Sequence, residues 1–162
     1  MGSSGEFDEF FRRQLAPLVA FVRRAGFGVE QSKDAAQEAM TRAYQEWSGL
    51  RSPRAWVRTV AYRAAIVESA RAQEGVLRAV SGGWTVSTHH DPDVVTLGEE
   101  HERLLEALAS LPDRQRLVLA WHLDGFDYLE IADHLDTSPT TVRSNLRHAR
   151  NALKARFATR TR

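Results

Sequence analysis

Four cations near the C-terminus could do chemistry together. Arg143, Arg147, Arg150 and Lys154 recur at spacings of four, three and four, which sets them in one row along a helix about 30 Å long. Beside that row, Val142, Leu146, Ala149, Leu153 and Phe157 recur at four, three, four and four, an apolar stripe that must face a core. A basic row next to a buried stripe is the arrangement by which a helix lies on a polyanion. The charge distribution agrees. Thr137 to Arg162 holds seven Lys/Arg and no Asp/Glu, whereas Glu99 to Asp136 holds three Lys/Arg and ten Asp/Glu. The overall net charge of +1 therefore hides a +7 block beside a −7 block, an asymmetry that points to nucleic acid. An ordinary solvated face is the bland alternative, and the missing acidic residues weigh against it.

Other chemistries lack their residues. There is no cysteine, so disulfides and thiolate metal sites are excluded, and a reducing compartment fits. No HExxH or glycine-rich phosphate loop occurs, and no pair of histidines at i,i+4. His101, His122 and His134 are isolated. His89-His90 is a lone pair without further ligands. No catalytic residue, metal or cofactor is expected, and a small helical hydrolase is the weakest of the readings. No apolar run of 18 residues suggests a membrane span, and the N-terminus lacks a basic-then-apolar leader pattern. Gly2-Ser3-Ser4-Gly5 has the composition of a cloning remnant and is left out of the fold reasoning.

The elements that position the basic row follow from capping signals. Asp127 and Glu130 have the spacing of a capping box, in which each side chain satisfies a backbone N–H at the other's position. Ile131, Ala132 and Leu135 give that short helix an apolar face. Leu135-Asp136-Thr137 reads as a turn. Ser138 then caps a second helix, with Pro139 at its first position, where the missing N–H costs nothing. The two helices form a helix-turn-helix candidate, with Thr140, Thr141, Arg143 and Ser144 at the end that approaches base edges. Upstream, Leu104, Leu105, Leu108 and Leu111 line one helix from Glu99. Pro112 starts the next, with Leu117, Val118, Trp121 and Leu123 as core, and Gly125 ends it.

The N-terminal part reads as three helices. Glu6 to Ala25 carries Phe7, Phe10, Phe11, Leu15, Leu18, Phe21 and Val22 on or near one face, and Pro17 should kink or interrupt it. Gln31 to Trp47 has an inner strip of Ala35, Ala39, Ala43 and Trp47, with Met40 and Tyr44 beside it. After the loop Ser48 to Pro53, Arg54 to about Ala72 places Trp56, Val57, Val60, Ala64 and Val67 inward. Gln73 to Gly98 lacks periodicity, contains Gly82-Gly83 and Trp84, and reads as a linker. The fold class is all-α: two small helical domains joined by a linker, the second a helix-turn-helix.

These motifs resemble the extracytoplasmic-function (ECF) group of bacterial sigma factors, within the sigma-70 family. Leu111-Pro112, Arg116, Gly125, Tyr128, Glu130-Ile131-Ala132, Ser138-Pro139, Thr141-Val142 and Ala149-Arg150 fall where that family's domain four has them. Phe7 to Arg71 resembles its domain two. Asp136 stands where the family usually has Gly, and Asp tolerates left-handed backbone better than most residues. Thr140, Asn145, His148, Arg63, Val67 and Ala70 also depart from the common pattern.

The resemblance implies domain two at residues 6–72, a linker at 73–98 and domain four at 99–158. It implies that Asp34, Gln37, Glu38, Thr41 and Arg42 bind core polymerase. Ser48, Gly49, Leu50, Arg51, Arg54, Trp56, Arg58, Thr59, Tyr62 and Arg63 would serve the −10 element. Ser138, Pro139, Thr140, Thr141, Arg143, Ser144, Arg147, His148, Arg150 and Lys154 would serve the −35 element. Core packing is the simpler role for Trp47 and Trp56. The implied partners are the beta-prime and beta subunits of core RNA polymerase, promoter DNA and, as in many relatives, an anti-sigma factor. The implied setting is cytoplasmic, as a monomer within the holoenzyme. No further domain is expected after the second helix of the motif. A conventional helix-turn-helix regulator, binding an operator without polymerase, is the alternative.

Overall fold

Seven α-helices make up the described residues, 4–81 and 98–159 of a computed structural model. They are α1 (Ser4–Arg24), α2 (Val29–Glu46), α3 (Pro53–Ser81), α4 (Glu99–Ala109), α5 (Asp113–Leu123), α6 (Tyr128–His134) and α7 (Pro139–Ala158). A short 3-10 turn, Trp47–Gly49, follows α2. No strand occurs among the described residues, as expected of an all-α chain. Most of the expected linker, including Trp84 and His89-His90, lies outside the described residues.

Backbone chemistry ends three helices in the same way. After α1, α5 and α6 the chain turns through a left-handed residue: Gly26 at φ 112°, Gly125 at φ 93° and Asp136 at φ 48°. In each case two amides fold back onto the last helical turn, for example Thr137 N–H to Ala132 O and Asp136 N–H to Asp133 O. This is the Schellman arrangement, which satisfies carbonyls the helix leaves orphaned. Its usual apolar contact is present after α5, where Phe126 packs edge-on against Trp121 with ring centroids 4.8 Å apart.

The N-terminal helices pack through small residues. Ala35, Ala36, Ala39 and Ala43 of α2 are buried, as are Ala55, Ala61 and Ala65 of α3. Such short side chains let α2 and α3 approach closely, and Gln31 Nε2 ties them by donating to Ser69 Oγ at 2.6 Å and to Ala65 O at 3.3 Å. Leu18, Phe21 and Val22 of α1 complete this core. In the C-terminal half, α5 is buried by neighbours on several sides, and Leu117, Val118, Leu119, Ala120 and Trp121 are all interior. The two halves share one apolar core, joined where Phe21 of α1 meets Trp121 of α5 at 5.3 Å.

Several expectations need correction. Pro17 does not interrupt α1, which is continuous. It is exposed, so the Arg13 carbonyl left without its helical donor can be satisfied by water. The third helix extends to Ser81, beyond the expected end near Ala72. Val67 is 49% exposed, Leu123 44% and Tyr44 59%, so none of them is core. On α3 Val57 is buried and Trp56, Val60 and Ala64 pack against the core as expected, while Ala55, Arg58, Ala61 and Ala65 complete the buried face. Apolar residues occur all round that helix, so periodicity alone could not choose its inner face.

Candidate nucleic-acid interface and partner surfaces

The capping box forms as its spacing requires. Asp127 Oδ1 accepts from the amides of Leu129 and Glu130, both at 2.9 Å, and Glu130 Oε2 accepts from the Asp127 amide at 2.8 Å. Ile131 and Ala132 are buried and Leu135 is half-buried. The chain leaves α6 through Asp136 and enters α7 at Ser138, whose Oγ accepts from the Thr141 amide at 3.1 Å. Pro139 occupies the first helical turn. Both ends of the turn are thus fixed by local hydrogen bonds, and the angle between α6 and α7 follows from them.

Along α7, Val142, Leu146 and Ala149 are buried and Leu153 is half-buried, while Arg143, Arg147, Arg150 and Lys154 are exposed. The apolar stripe stops short of its expected end, since Phe157 is 42% exposed. Thr140, Thr141 and His148 are exposed, and Ser144 is half-buried. Two cations of the row are held by neighbours. Arg143 lies over the Tyr128 ring, 4.1 Å from its centroid, a cation–π contact that leaves its edge available for hydrogen bonds. Arg150 Nη2 lies 2.7 Å from His122 Nε2. Because a guanidinium only donates, His122 Nε2 is the acceptor there. Its Nδ1 is buried without a partner. Neither Tyr128 nor His122 carried a sequence signal for these roles, because their partners lie a helix or more away.

On α2, Asp34, Gln37, Glu38, Thr41 and Arg42 are all exposed. Arg42 pairs with Glu38 one turn back, and Thr41 Oγ1 donates to Gln37 O at 3.0 Å. A groove of about 360 Å³ runs beside this face, with Asp34, Glu38 and Arg42 on one wall and Arg63, Glu68 and Arg71 on the other.

The ten residues associated with a −10 element do not form one open surface. Ser48, Gly49 and Arg51 are exposed and Leu50 half-buried around the 3-10 turn. Trp47 packs edge-on against Phe7 at 5.3 Å, and both Trp47 and Trp56 lie against the core. Thr59 and Tyr62 are half-buried and Arg63 exposed. Arg58 is fully buried, its Nε paired with the Asp124 carboxylate and its Nη1 donating to Arg54 O at 2.7 Å. Burial pushes the Arg58 guanidinium below its ordinary value; Asp124 opposes this, and Arg54 adds to it. Arg54 donates to the Asp124 carbonyl and stacks over Phe126, 4.1 Å from the ring centroid. These contacts join residues 66 and 70 positions apart, so nothing local in the sequence announces them.

No group of three or more His, Asp or Glu able to hold a metal occurs among the described residues, and no described helix is long and apolar enough to cross a membrane.

Comparison with known proteins bears on the whole chain. Residues 101–153, which contain the capped motif, match the family model "Sigma-70, region 4". The ECF RNA polymerase sigma factor SigK of Mycobacterium ulcerans is 29% identical over 154 residues, covering 91% of this chain and 81% of that protein. Its counterpart in Mycobacterium tuberculosis H37Rv is 28% identical, with the same coverage. Among solved structures, the sigma factor RpoE of Bartonella quintana, in complex with the anti-sigma factor NepR, superposes with a TM-score of 0.70 at 20% identity, covering 93% of this chain and 95% of that one. CnrH, in complex with the cytosolic domain of CnrY, gives 0.69 at 18% identity, with 98% and 92% covered. These structures share the fold through both halves, and the sequence relatives extend across the same span. Residues 101–153 thus match sigma-70 region 4, and over about nine-tenths of its length the chain is similar to ECF RNA polymerase sigma factors.

Proposed function

We propose that this chain directs core RNA polymerase to specific promoters and starts transcription there, with no catalytic chemistry of its own, in the cytoplasm. One observation carries the reading: a doubly capped helix-turn-helix presents an exposed basic row on α7 in register with a buried stripe, inside the segment that matches sigma-70 region 4. Residues 99–158 act as domain four. Thr140, Thr141, Arg143, Ser144 and Arg147 read the −35 element, and His148, Arg150 and Lys154 engage its backbone. Ser138 and Pro139 fix the end of the helix that enters the groove.

Residues 6–72 act as domain two. The exposed α2 face of Asp34, Gln37, Glu38, Thr41 and Arg42 docks on core polymerase through polar and ionic contacts. The turn Ser48–Arg51 and the α3 residues Arg54, Trp56, Arg58, Thr59, Tyr62 and Arg63 serve the −10 element. Unstacked bases there are held by pockets plus backbone charge. Residues 73–98 connect the two domains. An anti-sigma factor, as in the complex of RpoE with NepR, is a further partner that this fold can accept.

The experiment is a footprint and a run-off transcription assay on a genomic promoter library, with and without bacterial core enzyme at physiological salt. The chain alone binds weakly and with a steep salt dependence, because counterion release supplies most of its affinity. With core enzyme it protects two elements and yields transcripts, since the second contact becomes intramolecular and avidity rises by about 10²–10⁴. A strong, symmetric footprint from the chain alone would overturn this in favour of a conventional regulator.

A further inference from the structure

Arg143 is the only cation in the first two turns of α7, the end of the helix that approaches base edges. Around it the short polar groups have local partners. Thr141 Oγ1 meets Ser138 Oγ at 2.8 Å, and Asn145 Nδ2 donates to Thr141 O at 3.0 Å. Arg143 is held instead from another helix. Its guanidinium carbon lies over the Tyr128 ring, 4.1 Å from the centroid. Tyr128 is the first residue of α6, directly behind the Asp127 cap. The capping box fixes the Tyr128 backbone, and the left-handed turn at Asp136 fixes the approach of α7. Tyr128 is half-buried and Arg143 exposed. The ring is therefore a shelf of settled position under a side chain that otherwise has many rotamers.

We propose that Tyr128 is a specificity-determining residue of the DNA interface: by supporting Arg143 it holds the guanidinium fork in a plane that pairs with a guanine. In this role, which rests on reading α7 as the −35 helix, Tyr128 acts through Arg143 and is a positioning residue. A guanidinium carries all its donors at its rim, so the ring leaves that edge open. Guanine alone offers two acceptors, O6 and N7, side by side on its major-groove edge. Pairing with both requires the fork to lie in the plane of the base. An unsupported arginine loses rotamer entropy to meet that demand, and the Tyr128 ring removes much of the loss before DNA arrives. The benefit is selective. A base with one acceptor takes a single bond from many orientations and gains little from a fixed plane. Loss of the ring therefore narrows discrimination at one base pair and leaves the rest of the interface alone. For one exposed cation–π contact and one ordered side chain, the discrimination at stake is about three- to tenfold.

The test is run-off transcription with core polymerase on a promoter library randomised over the −35 element. It compares the natural chain with Tyr128→Phe, Tyr128→Leu, Arg143→Ala and the combined Tyr128→Leu/Arg143→Ala. The natural chain is expected to favour guanine at one position, and Arg143→Ala to lose that preference. Tyr128→Leu should reduce it about three- to tenfold at that same position and change other positions less than about twofold. Tyr128→Phe keeps the ring and should restore the preference. The combined variant should lose no more at that position than Arg143→Ala alone, because the ring acts through the arginine. A tyrosine that only packs α6 would give equal losses at all positions, or losses that add in the combined variant, and either result overturns the assignment. So does a base other than guanine at the position that Arg143→Ala alters. If Tyr128→Leu does not fold, NMR on the natural chain decides. The Arg143 side-chain protons, assigned through Arg143→Lys, should lie upfield of those of Arg147 because of the Tyr128 ring current, and coincident shifts would refute the contact. The two possible failures are separable. No transcription with core enzyme sinks the functional reading, whereas transcription with a guanine preference indifferent to Tyr128→Leu sinks the role of Tyr128 alone.

Discussion

Asp136 is the only non-glycine residue with positive φ among the described residues, at 48°. Its replacement tests how the turn sets α7. A side chain in left-handed backbone costs about 1–2 kcal/mol, and Asp and Asn bear this best. Asp136→Ala keeps the Cβ and loses the local hydrogen-bonding capacity, so a loss of about 1 kcal/mol is expected. Asp136→Val adds crowding at a β-branched carbon and should lose about 2 kcal/mol. Asp136→Gly removes the left-handed cost and adds about 0.4–1 kcal/mol of unfolded-chain entropy, so it should fall within about 0.5 kcal/mol of the natural residue.

The side chain is exposed and the two turn hydrogen bonds use its backbone and that of Thr137, so packing does not confound the series. Urea denaturation followed by circular dichroism measures it. The midpoints should rank Gly and Asp together, then Ala, then Val, at constant slope. For a chain of this size, 1 kcal/mol corresponds to roughly 2–4 °C in Tm. Use of the −35 element should follow the same order, because the turn aims α7. An alanine variant as stable as the natural chain would refute the claim that left-handed backbone at Asp136 sets this turn.

Three further outcomes are expected. Arg143→Ala or Arg147→Ala should cost about 1–3 kcal/mol if the side chain is bidentate to a base, and relax selectivity at one promoter position. Lys154→Ala should weaken binding evenly across sequences, and a library screen showing unchanged −35 selectivity in both arginine variants refutes the reading face. Gln37→Ala combined with Glu38→Arg should abolish co-purification with core polymerase while leaving the circular dichroism spectrum intact, and holoenzyme assembly by that folded variant refutes the α2 surface. The Tyr62 phenol is raised above its ordinary value by burial and then by Asp113. Its contribution to stability is therefore complete below pH ~10 and lost as pH rises through the raised value. Spectrophotometric titration should show a late-titrating phenol that disappears in Tyr62→Phe, and a titration curve unchanged by that substitution above pH ~10 counts against this environment.

Local signals in the sequence were enough to locate the motif. The Asp127/Glu130 box, the Ser138 cap with Pro139 behind it, and the glycine that ends α5 each act within a few residues, and all appear in the structure as read. The buried stripe of α7 was legible through Ala149 because an amphipathic helix on a small core repeats at helical period. Its end at Phe157 was not, because the core runs out before the helix does. Helix α3 shows what sequence alone could not decide. Its apolar residues surround the axis, so the inner face depends on which side α2 and the C-terminal half approach. That approach exposes Val67 and buries Arg58. A buried arginine is tolerable only with a partner, and Asp124 becomes that partner only when the chain brings residues 66 positions apart together. The cations were readable as a group, whereas their division into an open row on α7 and an occupied pair on α3 was decided by tertiary packing, because an arginine's access depends on the chain folded against it.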